Sequence, residues 1–141
     1  MQIIFWQKLE KFWISEGNKT NLEQFYDAVN GNYSDVKRRI SKDSSIIKYL
    51  RMFIDDKEYG NLIKSFEKKD YRGVFAASHT LKGVCANLGL DALQKSSSEV
   101  CESVRNTDPK EDITPLVNAV TKDYENVMNA LKHLEVNNWL K

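Results

Sequence analysis

Apolar residues recur along this chain at steps of three and four, the spacing that places them on one face of an α-helix. No stretch alternates apolar and polar residues for long enough to predict a strand. Only two prolines, Pro109 and Pro115, interrupt the pattern. The pattern therefore predicts an all-α protein.

Short helices are predicted first, and long helices follow. The short ones are expected over residues 22–29, 35–40 and 44–55. Gly60 and Asn61 predict an irregularity before the next apolar stripe, which contains Leu62, Ile63 and Phe66. The long helices are expected over residues 71–86, over 90–105, and from either 107–109 or 114–115 to about 134. Gly89 fits the end of the first long helix, because glycine adopts positive φ without a steric penalty.

The first twenty residues hold a separate amphipathic stripe, which Gly17 and Asn18 end. Its apolar members are Phe5, Trp6, Leu9, Phe12 and Trp13. We therefore expect an N-terminal helical extension over residues 1–20 and one domain over residues 21–141. The stripe either packs within the chain or recruits a second chain, and we favour packing within the chain.

Composition and charge restrict the classes of protein that fit. The 141 residues are 41% hydrophobic and 29% charged, as in a soluble globular domain. The net charge of +1 provides no field for a polyanion, so we expect no nucleic-acid partner. Lys8, Glu10 and Lys11 interrupt the apolar start, so we expect a cytoplasmic protein without membrane insertion. Cys85 and Cys101 lack metal-ligand spacing, which predicts reduced core thiols and no metal site.

The segment around His79 separates into two faces when it is projected at about 100° per residue. The core face is predicted to contain Val74, Ala77, Leu81, Val84, Cys85 and Leu88. The other face is predicted to contain Arg72, Phe75, Ala76, His79, Lys82, Gly83 and Ala86. We therefore expect the His79 imidazole to point to solvent.

The residues beside His79 suit a phosphoryl group held on the imidazole. The Lys82 ammonium, three residues on, would neutralise phosphoryl oxygens, and Gly83 would leave room for another molecule. Ala76 and Ala86 extend this surface for partner docking, and Arg72 is a weaker candidate. Phe75 has two open interpretations: an exposed docking anchor or a buried side chain.

The run His79-Thr80-Leu81-Lys82-Gly83, followed by Ala86-Asn87, Gly89 and Leu93, resembles the signature of histidine-containing phosphotransfer (HPt) domains. This resemblance implies a four-helix up-down bundle, here with additional N-terminal helices. It implies that His79 accepts a phosphoryl group and exchanges it with an aspartate of a receiver domain. Lys82 would stabilise that group and Gly83 would give access. The expected partners are a receiver domain, a hybrid sensor histidine kinase, or both, and the chain is expected to be a monomer.

One position departs from the family pattern. Many HPt domains place Gln or Glu on the following helix, where it hydrogen-bonds the second imidazole nitrogen, but this chain has Cys101 at that spacing. Ser97, Ser98 or Glu102 are alternatives, and the sequence leaves the choice open.

No nucleotide-binding motif is visible, so we do not expect an autonomous kinase. We expect no cofactor, with Mg²⁺ bound only by the partner receiver. The competing interpretation is a non-catalytic adaptor that has the HPt scaffold and binds a kinase or receiver through the His79 face. Without its neighbours, His79 would be an ordinary surface histidine.

Overall fold

The computed structural model describes residues 20–106 and 108–136. Their helices are α1 (Asn21–Ala28), α2 (Tyr33–Ile40), α3 (Asp43–Ile54), α4 (Glu58–Glu67), α5 (Tyr71–Leu88), α6 (Asp91–Ser103) and α7 (Thr114–Val136). These residues form no strand, which confirms the predicted all-α class.

The start of α7 was open between two positions, and the structure places it at Thr114. The Asp112 carboxylate accepts hydrogen bonds from the Thr114 N–H (3.0 Å) and from the Thr114 hydroxyl (2.6 Å). These hydrogen bonds hold the pKa of Asp112 below its ordinary value. Pro115 then occupies the first turn, where a backbone N–H would have no helical partner.

The irregularity predicted near Gly60 and Asn61 exists but does not include these two residues, because both lie inside α4. The break comes earlier, where α3 ends at Ile54, and the Asp56 carboxylate accepts a hydrogen bond from the Glu58 N–H (2.8 Å). That bond satisfies one of the donors left free at a helix start. Gly60 is exposed in the first turn of α4, where no turn geometry requires it.

Helices α4 to α7 form the up-down four-helix bundle, and α1 to α3 are the additional N-terminal helices. Buried apolar side chains from both parts form one core. The ring of Tyr59 on α4 stacks on Tyr124 of α7, with centroids 4.0 Å apart and an interplanar angle of 11°. The Tyr59 hydroxyl also contacts the Thr121 hydroxyl at 2.9 Å, so the first and last bundle helices are joined directly.

Local sequence fixes both ends of α5, the helix that contains His79. At its start, the Asp70 carboxylate accepts a hydrogen bond from the Gly73 N–H (3.1 Å). At its end, Gly89 adopts φ +67°, as predicted, and the Leu90 N–H donates to the Cys85 carbonyl (3.0 Å). This left-handed end satisfies a carbonyl that would otherwise lack a partner.

The N-terminal helices hold the same end of α5 through side chains. The buried Tyr26 hydroxyl of α1 donates to the Leu88 carbonyl (2.6 Å). Arg39 of α2 donates to the carbonyls of Ala86 (2.7 Å) and Asn87 (3.1 Å). Burial raises the pKa of the Tyr26 phenol, so it remains a donor across the physiological range. The additional helices therefore fix the C-terminal end of α5.

The predicted helix over residues 1–20 lies outside the described residues, apart from Thr20. The Thr20 hydroxyl accepts a hydrogen bond from the Glu23 N–H (3.2 Å) and caps α1. The division between an extension and a domain at residues 20 and 21 stays a prediction. Among the described residues, no helix is both long enough and apolar enough to cross a membrane.

Candidate functional site

His79 lies midway along α5 and is exposed to solvent. The neighbouring positions Ala76 and Gly83, one turn before and one turn after, are also exposed. Five of the six side chains predicted on the core face are buried: Val74, Ala77, Leu81, Cys85 and Leu88. The helical projection therefore placed the imidazole on the correct side of α5.

Lys82 and Gly83 lie one turn beyond His79 and differ in their surroundings. The Lys82 side chain is half-buried, and its ammonium forms no hydrogen bond or ion pair with another described residue. A Cβ built on Gly83 would meet no heavy atom within 4 Å outside the local helix backbone. Gly83 therefore leaves open space beside the imidazole, and Lys82 provides a cation that no carboxylate in the described part of the chain binds directly.

The second nitrogen of the imidazole faces α6. Cys101 Sγ lies 4.0 Å from His79 Nδ1, a long contact at the limit of a hydrogen bond to sulfur. Cys101 is fully buried, so its position is fixed by packing. Nδ1 and Nε2 are separate atoms of the ring, so the contact of Nδ1 with Cys101 leaves Nε2 free of that contact.

Cys101 contacts the second imidazole nitrogen, whereas two of the alternatives named from the sequence, Glu102 and Ser97, have other surroundings. Glu102 instead forms a two-pronged ion pair with Arg105, with distances of 3.0 and 2.8 Å. The Ser97 hydroxyl is buried and forms no hydrogen bond with any residue in the described ranges. Cys101 itself therefore occupies the position beside the second imidazole nitrogen.

Phe75 lies between His79 and a cation. Its ring stacks on the imidazole, with centroids 5.7 Å apart and an interplanar angle of 17°. The Arg105 guanidinium carbon lies 5.2 Å from the centroid of the Phe75 ring, within the range of a cation–π contact. Phe75 is half-buried and packs against the core, so it combines features of both interpretations of this residue.

The charges near His79 come from both α5 and α6. Hydrogen bonds from Arg105 hold the pKa of Glu102 below its ordinary value, and the Lys82 and His79 charges lower it further. Glu102 is therefore an anion at neutral pH that lies within the electrostatic range of both α5 residues.

The other proposed docking residues flank His79 along α5. Arg72 and Ala76 are exposed, and Ala86 is half-buried beneath the Arg39 guanidinium that binds its carbonyl. Val84, which was predicted in the core, is half-buried instead because it lines a groove of about 540 Å³ between α5 and α3. Met52, 60% exposed, lies on the α3 side of this groove. The exposed face of α5 is therefore bordered by apolar side chains.

Within the described ranges, no group of three or more His, Cys, Asp or Glu side chains is arranged to hold a metal ion. The groups near the imidazole are instead one thiol, one lysine and one arginine–glutamate pair. These groups can bind an anion, hold a ring in place and exchange a proton.

A scan against protein-family models matches residues 48–131 to the Hpt domain. The match covers more than half of the chain and contains all of α4, α5 and α6. The chain belongs to the Hpt domain family. Hpt domains perform histidine phosphotransfer in two-component signalling, and they interact with receiver domains and kinases. No curated protein and no solved structure matched the chain significantly.

The resemblance that the sequence shows is therefore confirmed, whereas one residue near the site of this Hpt domain, Arg105, was missed. Neither Arg105 nor its contact with Phe75 was expected from the sequence. A usable signal existed: Phe75 lies four residues before His79, and Arg105 lies four residues after Cys101. Those positions lie opposite each other only when antiparallel packing places His79 beside Cys101, a register that the sequence of either helix does not determine.

Proposed function

We propose that His79 accepts a phosphoryl group on Nε2 and exchanges it with an aspartate of a receiver domain. One observation supports this most directly: an exposed imidazole in the middle of a bundle helix, with Nδ1 toward a buried thiol. A nucleophile in this position can meet an acyl phosphate held by another protein.

The proposed step is an in-line displacement at phosphorus. The lone pair of neutral Nε2 forms a P–N bond as the P–O bond to the aspartate breaks, and the electron pair leaves on the carboxylate oxygen. The imidazole proton stays on Nδ1 during the attack, so the phosphorylated ring is cationic until that proton is released. The reverse step returns the phosphoryl group to a carboxylate.

Lys82 and Gly83 have separate roles in this proposal. The Lys82 ammonium neutralises phosphoryl oxygens, which a charge-assisted hydrogen bond does more strongly than a neutral one. Gly83 lets the partner approach the imidazole, since a side chain there would extend into open space. Mg²⁺ belongs to the receiver's acidic pocket in this proposal, and the chain itself uses no cofactor.

The proposed partners are a receiver domain, a hybrid sensor histidine kinase, or both. Arg72, Phe75, Ala76 and Ala86 form the proposed docking face around His79. Small side chains at Ala76 and Ala86 allow close approach, while Arg72 adds a positive charge. We propose that the chain works as a monomer on this face.

A label-transfer experiment tests the proposal. The full chain is incubated with a panel of receiver domains that carry radiolabelled acyl phosphate, and label on the chain is followed over time. His133 on α7 is the only other histidine, so His133→Gln is the matched control for His79→Gln. We expect label on the wild type and on His133→Gln, and none on His79→Gln.

The chemistry of the label gives a second criterion. A phosphoramidate on histidine survives alkali and is lost in mild acid, whereas phosphoserine behaves in the opposite way. Label that persists in His79→Gln would overturn the proposal. The non-catalytic adaptor interpretation would be supported instead by two results together. Receivers would bind the chain without transferring label, and phosphoramidate, a small phosphoryl donor, would also fail to phosphorylate His79.

A further inference from the structure

Three side chains that the motif does not specify in these roles surround the His79 imidazole. Phe75 stacks on the ring at 5.7 Å and 17°, and Cys101 approaches Nδ1 at 4.0 Å. The guanidinium carbon of Arg105, two residues after the end of α6, lies 5.2 Å from the Phe75 centroid. Together they restrict both the plane of the imidazole and the edge that faces solvent.

The stack is held at its far end by an ion pair. Glu102 accepts hydrogen bonds from Nε and Nη2 of Arg105, which fixes the plane of the guanidinium in two directions. The guanidinium in turn covers Phe75, and Phe75 lies nearly parallel to the imidazole. An exposed histidine on a helix would otherwise exchange rapidly among side-chain rotamers.

The thiol acts on a different property of the ring. A neutral imidazole is a nucleophile only at the nitrogen without a proton. The Cys101 thiol can accept a hydrogen bond from Nδ1–H or donate one to unprotonated Nδ1. With Sγ as the acceptor, the proton lies on Nδ1 and Nε2 is left unprotonated. Cys101 is fully buried, so packing holds the sulfur in place beside this edge of the ring.

We propose that Phe75 and Arg105 hold the plane of the His79 imidazole, and that Cys101 selects the tautomer in which Nε2 is the reactive nitrogen. This inference rests on the proposed function and assigns three positioning residues to it. It also gives Phe75 a role that does not require a docked partner. Cys101 thereby takes the place of the amide or carboxylate that many relatives use.

The experiment separates positioning from docking by using two phosphoryl donors. Phosphoramidate is small and needs no docking surface, whereas a phosphorylated receiver domain needs one. Phe75→Leu removes the aromatic ring, and Phe75→Tyr keeps it. We expect Phe75→Leu to slow phosphorylation by phosphoramidate about two- to tenfold, the range expected for loss of one aromatic contact, and Phe75→Tyr to restore the rate.

Arg105 gives an independent test of the stack. Arg105→Lys keeps the positive charge but lacks the planar guanidinium, so we expect the rate with phosphoramidate to fall as in Phe75→Leu. If Phe75→Leu and Arg105→Lys slow only the reaction with receivers, the stack serves docking and the positioning role is rejected.

The thiol is tested by the imidazole ¹⁵N chemical shifts of His79, which report directly which nitrogen is protonated. We expect the Nδ1–H tautomer to dominate in the wild type and in Cys101→Ser, whose hydroxyl can also accept a hydrogen bond. Cys101→Ala should shift the population toward Nε2–H and slow phosphorylation. Cys85→Ala removes an equally buried thiol that lies away from the ring, so it should leave the tautomer unchanged.

The outcomes distinguish this inference from the proposed function. Equal tautomer populations and equal rates in wild type, Cys101→Ala and Phe75→Leu would reject the positioning roles while His79 stays the acceptor. Unchanged label in His79→Gln would reject the acceptor itself. Circular dichroism of each variant shows whether a lost rate reflects lost folding. If Cys101→Ala unfolds, the ¹⁵N shifts of the wild type still test the thiol, because a dominant Nε2–H tautomer there would reject its role.

Discussion

Substituting Gly83 by alanine should stabilise the protein while it obstructs the proposed partner. Gly83 lies inside α5, and a Cβ there would meet nothing within 4 Å outside the local helix backbone. Alanine in a helix interior is favoured over glycine by about 0.5–1 kcal/mol. No clash offsets this gain, so we expect the free energy of unfolding to rise by about 0.5–1 kcal/mol and the melting temperature by about 1–4 °C.

The same methyl group extends into the space beside the His79 imidazole. We expect Gly83→Ala to leave phosphorylation by phosphoramidate unchanged, because that donor is small. Transfer from a receiver domain should slow, and Gly83→Gln should slow it further, since a longer side chain covers more of the approach to Nε2. Increased stability combined with decreased transfer is the expected signature of a glycine that gives access.

Gly60 is the matched control for this experiment. It is also exposed within a helix, and a Cβ there would meet nothing within 4 Å, but it lies on α4, away from the motif. Gly60→Ala should be at least as stable as the wild type and transfer label at the wild-type rate. Urea unfolding followed by circular dichroism gives stability, and label transfer from a receiver gives the rate.

Two results would refute the reasoning about Gly83. A lower free energy of unfolding for Gly83→Ala would show that the space beside the helix is not open. Wild-type transfer by both Gly83→Ala and Gly83→Gln would show that the partner does not approach over this residue.

Three further predictions concern charge, backbone conformation and pH. Lys82→Gln should slow transfer about tenfold, as expected for loss of one charge-assisted hydrogen bond, whereas the exposed Lys122→Gln on α7 should leave label transfer unchanged. Gly89→Ala should lower the free energy of unfolding in urea by at least about 1–2 kcal/mol, because φ is +67° and a Cβ would lie 2.1 Å from a Val36 methyl carbon. The hydrogen bond from Lys37 lowers the pKa of the Asp43 carboxyl. This pair therefore stabilises the fold at pH values above the ordinary carboxyl pKa. The stabilisation is lost as the pH falls through the lowered pKa of Asp43 in the folded state. Asp43→Asn should therefore lower the free energy of unfolding by less than about 1 kcal/mol at pH 7, since solvent screens both half-exposed side chains. In acid the substitution should not change that free energy. Urea unfolding at both pH values measures the difference.

Much of α5 could be predicted because its determinants are local. Asp70 and Gly89 mark the two ends, and the apolar stripe fixes which side is buried. The exposure of His79 then follows from the helical repeat alone. Lys82 and Gly83 belong to the same turn, so their placement required no knowledge of other helices.

The remaining features depend on contacts between helices. The sequence placed the break before α4 too late, because a glycine in an exposed first helical turn, such as Gly60, is a poor guide to a helix boundary. The Asp56 carboxylate, which accepts a hydrogen bond from the Glu58 N–H, marks the start of α4 instead. The contact between Cys101 and Nδ1 depends on the register of α6 against α5, which the sequence of either helix does not determine. The position of Arg105 over Phe75 depends on that same register.

The features of the site that are local to α5 and those that depend on contacts with other segments should affect the reaction differently. The motif on α5 supplies the nucleophile, the cation and the access, whereas Phe75 on α5, Cys101 on α6 and Arg105 just after α6 supply the contacts that restrict the imidazole. A substitution at Cys101 or Arg105 leaves the motif intact, so a search for the motif alone would not register it. If the positioning roles are correct, such a substitution changes the rate with every phosphoryl donor, whereas a change at the docking face affects only donors that are proteins. Comparing a small donor with a receiver across variants of both helices therefore separates the chemistry of His79 from recognition of its partner.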